Sequence, residues 1–186
     1  MHSTGKIHWD IKPANILLTD KGEVKIADFG VSAELSKTET NWESFVGTHN
    51  WMAPEMLSSK KYNYKVDIWA FGITGINIAT GKVPYQDIKP FLAMKAIWEG
   101  ESPKLEGDFS SNFHDFIDQC LIWDPALRPT ATQLLKHPFV NHNKRVSMLL
   151  DLLTCVPQWE ISQEEIKSES SSSGQKVMIK WQPDVI

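Results

Sequence analysis

His8-Trp9-Asp10-Ile11-Lys12-Pro13-Ala14-Asn15 is followed by Asp28-Phe29-Gly30 and, after a long polar interval, by Ala53-Pro54-Glu55. The fold is read outward from these three strings. Between the first two, Asn15 to Thr19 is a short β-like run, Asp20-Lys21-Gly22 is a turn signal, and Val24 to Ala27 alternates as a second strand. A hairpin is expected there. Residues 31–50 are polar with few periodic apolar positions, which predicts a long loop of the kind compact domains keep for function. Beyond the third string the pattern changes. Val66, Ile68, Trp69, Phe71, Ile73, Ile76, Ile78 and Ala79 place apolar groups around most of a helix to Thr80, the mark of a helix buried at the centre of a domain. Gly72 and Gly75 each cost about 1 kcal/mol against Ala in a helix interior, so close packing is expected at both. Gly81 is placed to end the helix. Amphipathic stretches follow at 90–98, 111–121 and 130–137, separated by Asp124-Pro125 and Arg128-Pro129. The fold class is therefore mainly α, with little sheet.

The chain has 186 residues, a formal net charge of −4 and eight tryptophans. Slight acidity argues against nucleic-acid binding through bulk charge. No apolar run reaches the roughly 18–20 residues of a membrane span. Cys120 and Cys155 lie far apart without metal-ligand spacing and read as two free thiols in a reducing compartment. Composition shifts after His137-Pro138-Phe139. Residues 143–156 form one more amphipathic stretch, with Val146, Leu149, Leu150, Leu153 and Val156 as its apolar positions. Glu164 to Gly174 is polar and Ser-rich and reads as a flexible linker, followed by a small apolar end, Val177 to Ile186.

Taken in order, the three opening strings resemble the catalytic loop, the metal-binding motif and the end of the activation segment of protein kinases. The resemblance covers about residues 1–140 and implies a kinase C-terminal lobe: a catalytic-loop β-hairpin, a long activation segment and a helical bundle around a buried central helix. Residues 141–186 are then a helical and Ser-rich tail. It further implies ATP and Mg²⁺ as cofactors. Asp10 matches the carboxylate that orients the attacking hydroxyl and accepts its proton. Asn15 and Asp28 match the oxygen ligands of Mg²⁺. Lys12 matches the cation near the transferring phosphoryl and resembles serine/threonine rather than tyrosine kinases. Leu17 falls where the family packs an apolar residue beneath the adenine. Thr48 matches the threonine that bonds to the base and the lysine. Ser44 matches the usual activation-loop phosphoacceptor. His8, Phe29, Gly30, Glu55, Asp67 and Arg128 match structural positions, with Asp67 holding the catalytic loop from below and Arg128 pairing with Glu55. Asp28 to Ala33, Trp51 to Glu55, Gly72-Ile73-Thr74, Pro129-Thr130-Ala131 and Leu135 to Phe139 are similar to the sterile-twenty-like kinases, within them the germinal-centre branch.

The departures from that family are equally specific. No Gly-rich loop, strand lysine or paired helix glutamate precedes His8, so the N-terminal lobe is expected to be absent. Trp9 stands where the family has the arginine that pairs with a phosphorylated loop residue, and His49-Asn50 stands where it has Pro and an aromatic or small residue. Asn77 and Trp123 are smaller anomalies. The sequence thus supports a cytoplasmic serine/threonine kinase that phosphorylates proteins, carried here by a polypeptide expected to be nearly inactive alone. A binding fragment reaching protein substrates or scaffold proteins through 143–156 and the tail, or a relic, is the alternative.

Overall fold

The computed structural model describes residues 1–19, 21–29, 33–34, 49–57, 62–100, 102–142 and 178–180. Strand β1 (Lys6–Ile7) pairs antiparallel with β4 (Ala33–Glu34), and β2 (Ile16–Thr19) pairs antiparallel with β3 (Val24–Ile26). A further strand, β5 (Met178–Lys180), joins the other edge of β2, with Leu17 opposite Lys180 and Thr19 opposite Met178. Asn15, placed at the start of a strand by its pattern, instead closes a 3-10 turn, Pro13–Asn15. Pro13 presets the turn's backbone, and the Asn15 N–H donates to the Lys12 carbonyl at 3.0 Å, leaving the ladder to start at Ile16.

The centre of the fold is α1 (Lys65–Thr80). Ile68, Trp69, Ile73 and Ile76 are buried on it, and so are Asp67, Thr74 and Asn77. Gly81 ends it in the left-handed conformation, its N–H reaching the Asn77 carbonyl at 2.9 Å. Helix α3 (Ser111–Cys120) packs across α1 at its two glycines. A Cβ at residue 72 would lie 2.8 Å from both the Cys120 Cβ and a Leu121 methyl, and one at residue 75 would lie 2.6 Å from the Ile117 Cδ1. The backbone approach explains why both positions accept the helix-propensity penalty of glycine.

Helix α2 (Pro90–Glu99) packs against the 3-10 turn His49–Trp51. The stretch 130–137 yields only α4 (Ala131–Leu134), opened by a reciprocal cap in which Thr130 and Gln133 each bond to the other's backbone. A second short helix, α5 (Pro138–His142), then begins at Pro138. Proline disfavours helical backbone in the residue before it, which separates the two. Trp9 joins the main apolar cluster, with Ile7, Trp69, Ile73 and Phe116 among its members. Among the described residues no helix is long and apolar enough to cross a membrane. Gly30, the long loop's Ser44, Gly47 and Thr48, and tail residues 143–177 lie outside the described residues.

Candidate functional site

The loop from His8 to Asn15 is held by side chains from both sides. From α1, Asp67 accepts three hydrogen bonds. The His8 and Trp9 N–H groups donate to its Oδ2 and Oδ1, each at 2.9 Å, and His2 Nε2 donates to Oδ2 at 2.7 Å. From the strand side, His8 is fully buried, and its Nε2 donates to the Ala27 carbonyl at 3.0 Å while its Nδ1 accepts from the Asp10 N–H at 3.3 Å. A carbonyl only accepts, so a neutral ring with its hydrogen on Nε2 satisfies both bonds. The His8 ring meets the Phe29 ring edge-on, with centroids 4.9 Å apart.

Asp10, Lys12 and Asn15 come together on this support. Asn15 is buried, and its Nδ2 donates both to the Asp10 carbonyl at 2.7 Å and to the Asp10 carboxylate at 3.0 Å. The same carboxylate oxygen lies 2.7 Å from the Lys12 Nζ. Asp10 thus presents a carboxylate fixed by an amide and a cation that share one of its oxygens. With its amide nitrogen committed to Asp10, Asn15 keeps Oδ1 as the atom able to face a cation. Asp28 is exposed and reaches the same region through its neighbour, since the Ala27 N–H donates to the Asn15 carbonyl at 2.8 Å. The Asn15 amide oxygen and the Asp28 carboxylate are hard oxygen donors of the kind a small divalent cation takes.

Backbone strain falls in the same place. Trp9 and Asp28 have φ of 67° and 61°, a left-handed conformation that costs non-glycine residues energy and persists where surroundings enforce it. At Trp9 the enforcing contacts are the Asp67 bond and burial of the indole. Leu17 sits half-buried on β2, between β3 and β5.

A second constellation surrounds Arg128, which is buried. Its guanidinium donates to Glu55 Oε1 at 2.8 Å and Oε2 at 3.1 Å, and to the carbonyls of Ile122, Lys65 and Trp123 at 2.9, 2.7 and 3.3 Å. These five bonds use all five donors of the guanidinium. The group also lies over the Trp69 ring, 5.1 Å from its centroid.

Two contributing residues carry no signal in the sequence, and a third reads there only as a departure. Lys65 looks like a solvated charge ahead of an apolar run, yet its Nζ donates to the Arg128 and Pro125 carbonyls. Burial, then the neighbouring Arg128 charge, holds its ammonium below the usual lysine range, against a smaller opposite pull from Glu55. His2 reads as an ordinary N-terminal polar residue. Asn50, one of the departures noted above, is buried and donates to the Pro84 carbonyl at 3.0 Å, tying the His49–Trp51 turn to the segment after α1.

Comparison with known proteins gives this arrangement a context. The protein kinase domain family matches residues 1–140. Over 155 residues the chain is 48% identical to the serine/threonine-protein kinase dst1 of Dictyostelium discoideum, an alignment covering 82% of this chain and 21% of that protein. The chain thus spans about a fifth of the length of that relative.

Proposed function

The chain belongs to the protein kinase family, and from that premise we propose that it carries the catalytic-loop half of a serine/threonine kinase of the sterile-twenty-like, germinal-centre branch, acting on cytoplasmic proteins. The observation that carries the reading is the Asn15 amide bridging the Asp10 carbonyl and carboxylate while Lys12 holds the same carboxylate. A carboxylate so positioned suits a substrate hydroxyl that must be oriented and deprotonated as it attacks. Asp10 takes that proton. Lys12 would place positive charge beside the group being transferred, and Asn15 and Asp28 would hold Mg²⁺. Mg–ATP, when bound, supplies the phosphoryl group and offsets its developing charge. By the family match, Leu17 would take the apolar position at the adenine, and Thr48 and Ser44 are assigned the base-supporting and regulatory phosphoacceptor roles. The strings quoted for the branch, Asp28 to Ala33 and Trp51 to Glu55 foremost, support its assignment.

Positioning provides most of the catalysis in phosphoryl transfer. A chimera joining residues 1–140 to the N-terminal lobe of a family member tests the reading. It should phosphorylate the peptide, and Asp10→Asn should lower its rate by about 10²–10⁴-fold, the range of a lost general base. A folded chimera that stays inactive would overturn the enzyme reading.

One observation favours a second reading, a binding or scaffold fragment. Trp9 is buried in the core where the family carries a cation for a phosphorylated loop. Under that reading the chimera is inactive and gains no activity from Trp9→Arg.

A further inference from the structure

We propose that β5 is a removable brace on the candidate site. Paired with β2, it holds the Asp10 and Asn15 cluster in order. Withdrawn, it loosens that cluster while the helical part of the fold stays intact. The brace acts on the geometry of the cluster, whatever chemistry the cluster performs.

The cluster is tied to the base of the hairpin. Asn15 immediately precedes β2, and Ala27 immediately follows β3. The Ala27 N–H donates to the Asn15 carbonyl at 2.8 Å, and the Ala27 carbonyl accepts from the His8 ring at 3.0 Å. From that base the Asn15 amide nitrogen donates twice to Asp10, once to its carbonyl and once to its carboxylate. A two-stranded hairpin is marginal by itself in water and depends on what pairs or packs beside it. Here β2 is the middle strand of three, between β3 and β5. β5 also packs against the Pro13–Asn15 turn. The third strand thus lies beside the residue that positions Asp10.

Backbone alternation says which groups the brace uses. The Thr19 N–H donates to the Glu23 carbonyl at 2.9 Å, and the Asn15 carbonyl faces Ala27, so residues 15, 17 and 19 turn their backbone groups toward β3. Leu18 turns its N–H and C=O to the other edge, where the register sets Ile179 opposite it. Leu18 and Ile179 are therefore the pair that exchanges backbone bonds, and Met178 and Lys180 turn their N–H groups away from β2. A strand of three residues held along one edge belongs to the part of a fold that opens at little free-energy cost.

Hydrogen exchange followed by NMR on the intact 186-residue chain tests the brace. In the wild type the Leu18 amide should be protected about as well as that of Thr19, and the two Nδ2 hydrogens of Asn15 should exchange slowly. Ile179→Pro deletes the N–H that pairs with Leu18. It should speed exchange of the Leu18 amide and of the Asn15 side-chain hydrogens at least about tenfold, with α3 unchanged. Ile179→Val keeps the N–H and should match the wild type. Met178→Pro removes an N–H that points away from β2 and should match it too. If Ile179→Pro does not fold, a chain ending at Gln175 is measured in its place, with the same expectation. A Leu18 amide that exchanges at the unfolded rate in the wild type overturns the proposal. So does an Asn15 side chain that stays protected once Leu18 is released, or acceleration that extends equally into α3. Protection that depends on protein concentration overturns it as well, because the strand would then come from a second copy.

Discussion

Glu55 and Arg128, 73 positions apart, meet as a two-pronged ion pair whose guanidinium is completely enclosed. Its remaining donors close on three backbone carbonyls, so the pair joins the end of the long loop to α1 and to the segment before α4. Removing one member takes from the other its ion-pair partner in a largely enclosed site. Glu55→Ala or Arg128→Ala should therefore each cost about 3–5 kcal/mol, read as a loss in denaturant midpoint. Arg128→Lys should recover little, because an ammonium cannot reproduce the fork. Full stability in Arg128→Lys would sink this account.

Asp67 accepts the His8 and Trp9 N–H groups on separate oxygens. Asp67→Asn offers one oxygen, no charge and a second donor facing an N–H. The expected loss is about 1.5–3 kcal/mol, typical for a hydrogen bond to a charged group. Amide exchange at residues 8 and 9 should speed up more than exchange in α3. Uniform acceleration across the fold would instead mean a general loss of stability.

The two glycines of α1 should respond differently to alanine. At residue 72 the new methyl meets the Cys120 Cβ and the Leu121 side chain at 2.8 Å, atoms with little room to move. At residue 75 it meets the free end of Ile117. Overpacking costs about 1–3 kcal/mol, against about 1 kcal/mol gained in helix propensity. Gly72→Ala should be destabilising and Gly75→Ala close to neutral in thermal melts. The reverse order would show that the α1–α3 approach is not what selects glycine.

Burial pushes the Cys120 thiol from its ordinary 9.0 up to about 12. An unfolded chain ionises this thiol near 9, whereas the folded chain keeps it protonated. Its contribution to stability is thus complete below 9 and is lost as pH rises toward 12. The slope is about 1.4 kcal/mol per pH unit over that window. Cys120→Ala should show a correspondingly shallower decline in denaturant melts between about pH 9 and 11. Parallel curves for the two proteins would rule the thiol out.

Asn77 is buried on α1, and among the described residues its Nδ2 has no hydrogen-bond partner. An orphaned buried amide costs about 1–3 kcal/mol. Asn77→Leu, similar in volume, should raise the melting temperature. A lower melting temperature would point to a polar partner that the amide serves.

The central helix and the hairpin were legible because each rests on a local rule. An all-round apolar period marks α1, and Asp20-Lys21-Gly22 marks the reversal between β2 and β3. The Asp10, Lys12 and Asn15 cluster was legible as a motif, since these residues are close in sequence and one short turn brings them together. What escaped depends on partners far along the chain. Lys65 gains its role from carbonyls at 125 and 128, and His2 gains its role from Asp67. β1 and β4 are two residues each, too short to show an alternation, and β5 is three residues in an apolar end with no pairing signal of its own. The 130–137 pattern ran past the actual end of α4, because the helical period does not register the backbone restriction that Pro138 imposes on residue 137.

The Asp67 anchor also sets an order on synthesis. The amides it holds lie 59 and 58 positions upstream of it. A ribosome adding about 5–20 residues per second emits the His8 loop some 3–12 seconds before its anchor exists. During that interval the left-handed turn at Trp9 has nothing to enforce it. The loop that carries Asp10 is therefore made well before it is able to take its final shape. Chains arrested before residue 67 should show this directly, as unprotected amides at His8 and Trp9.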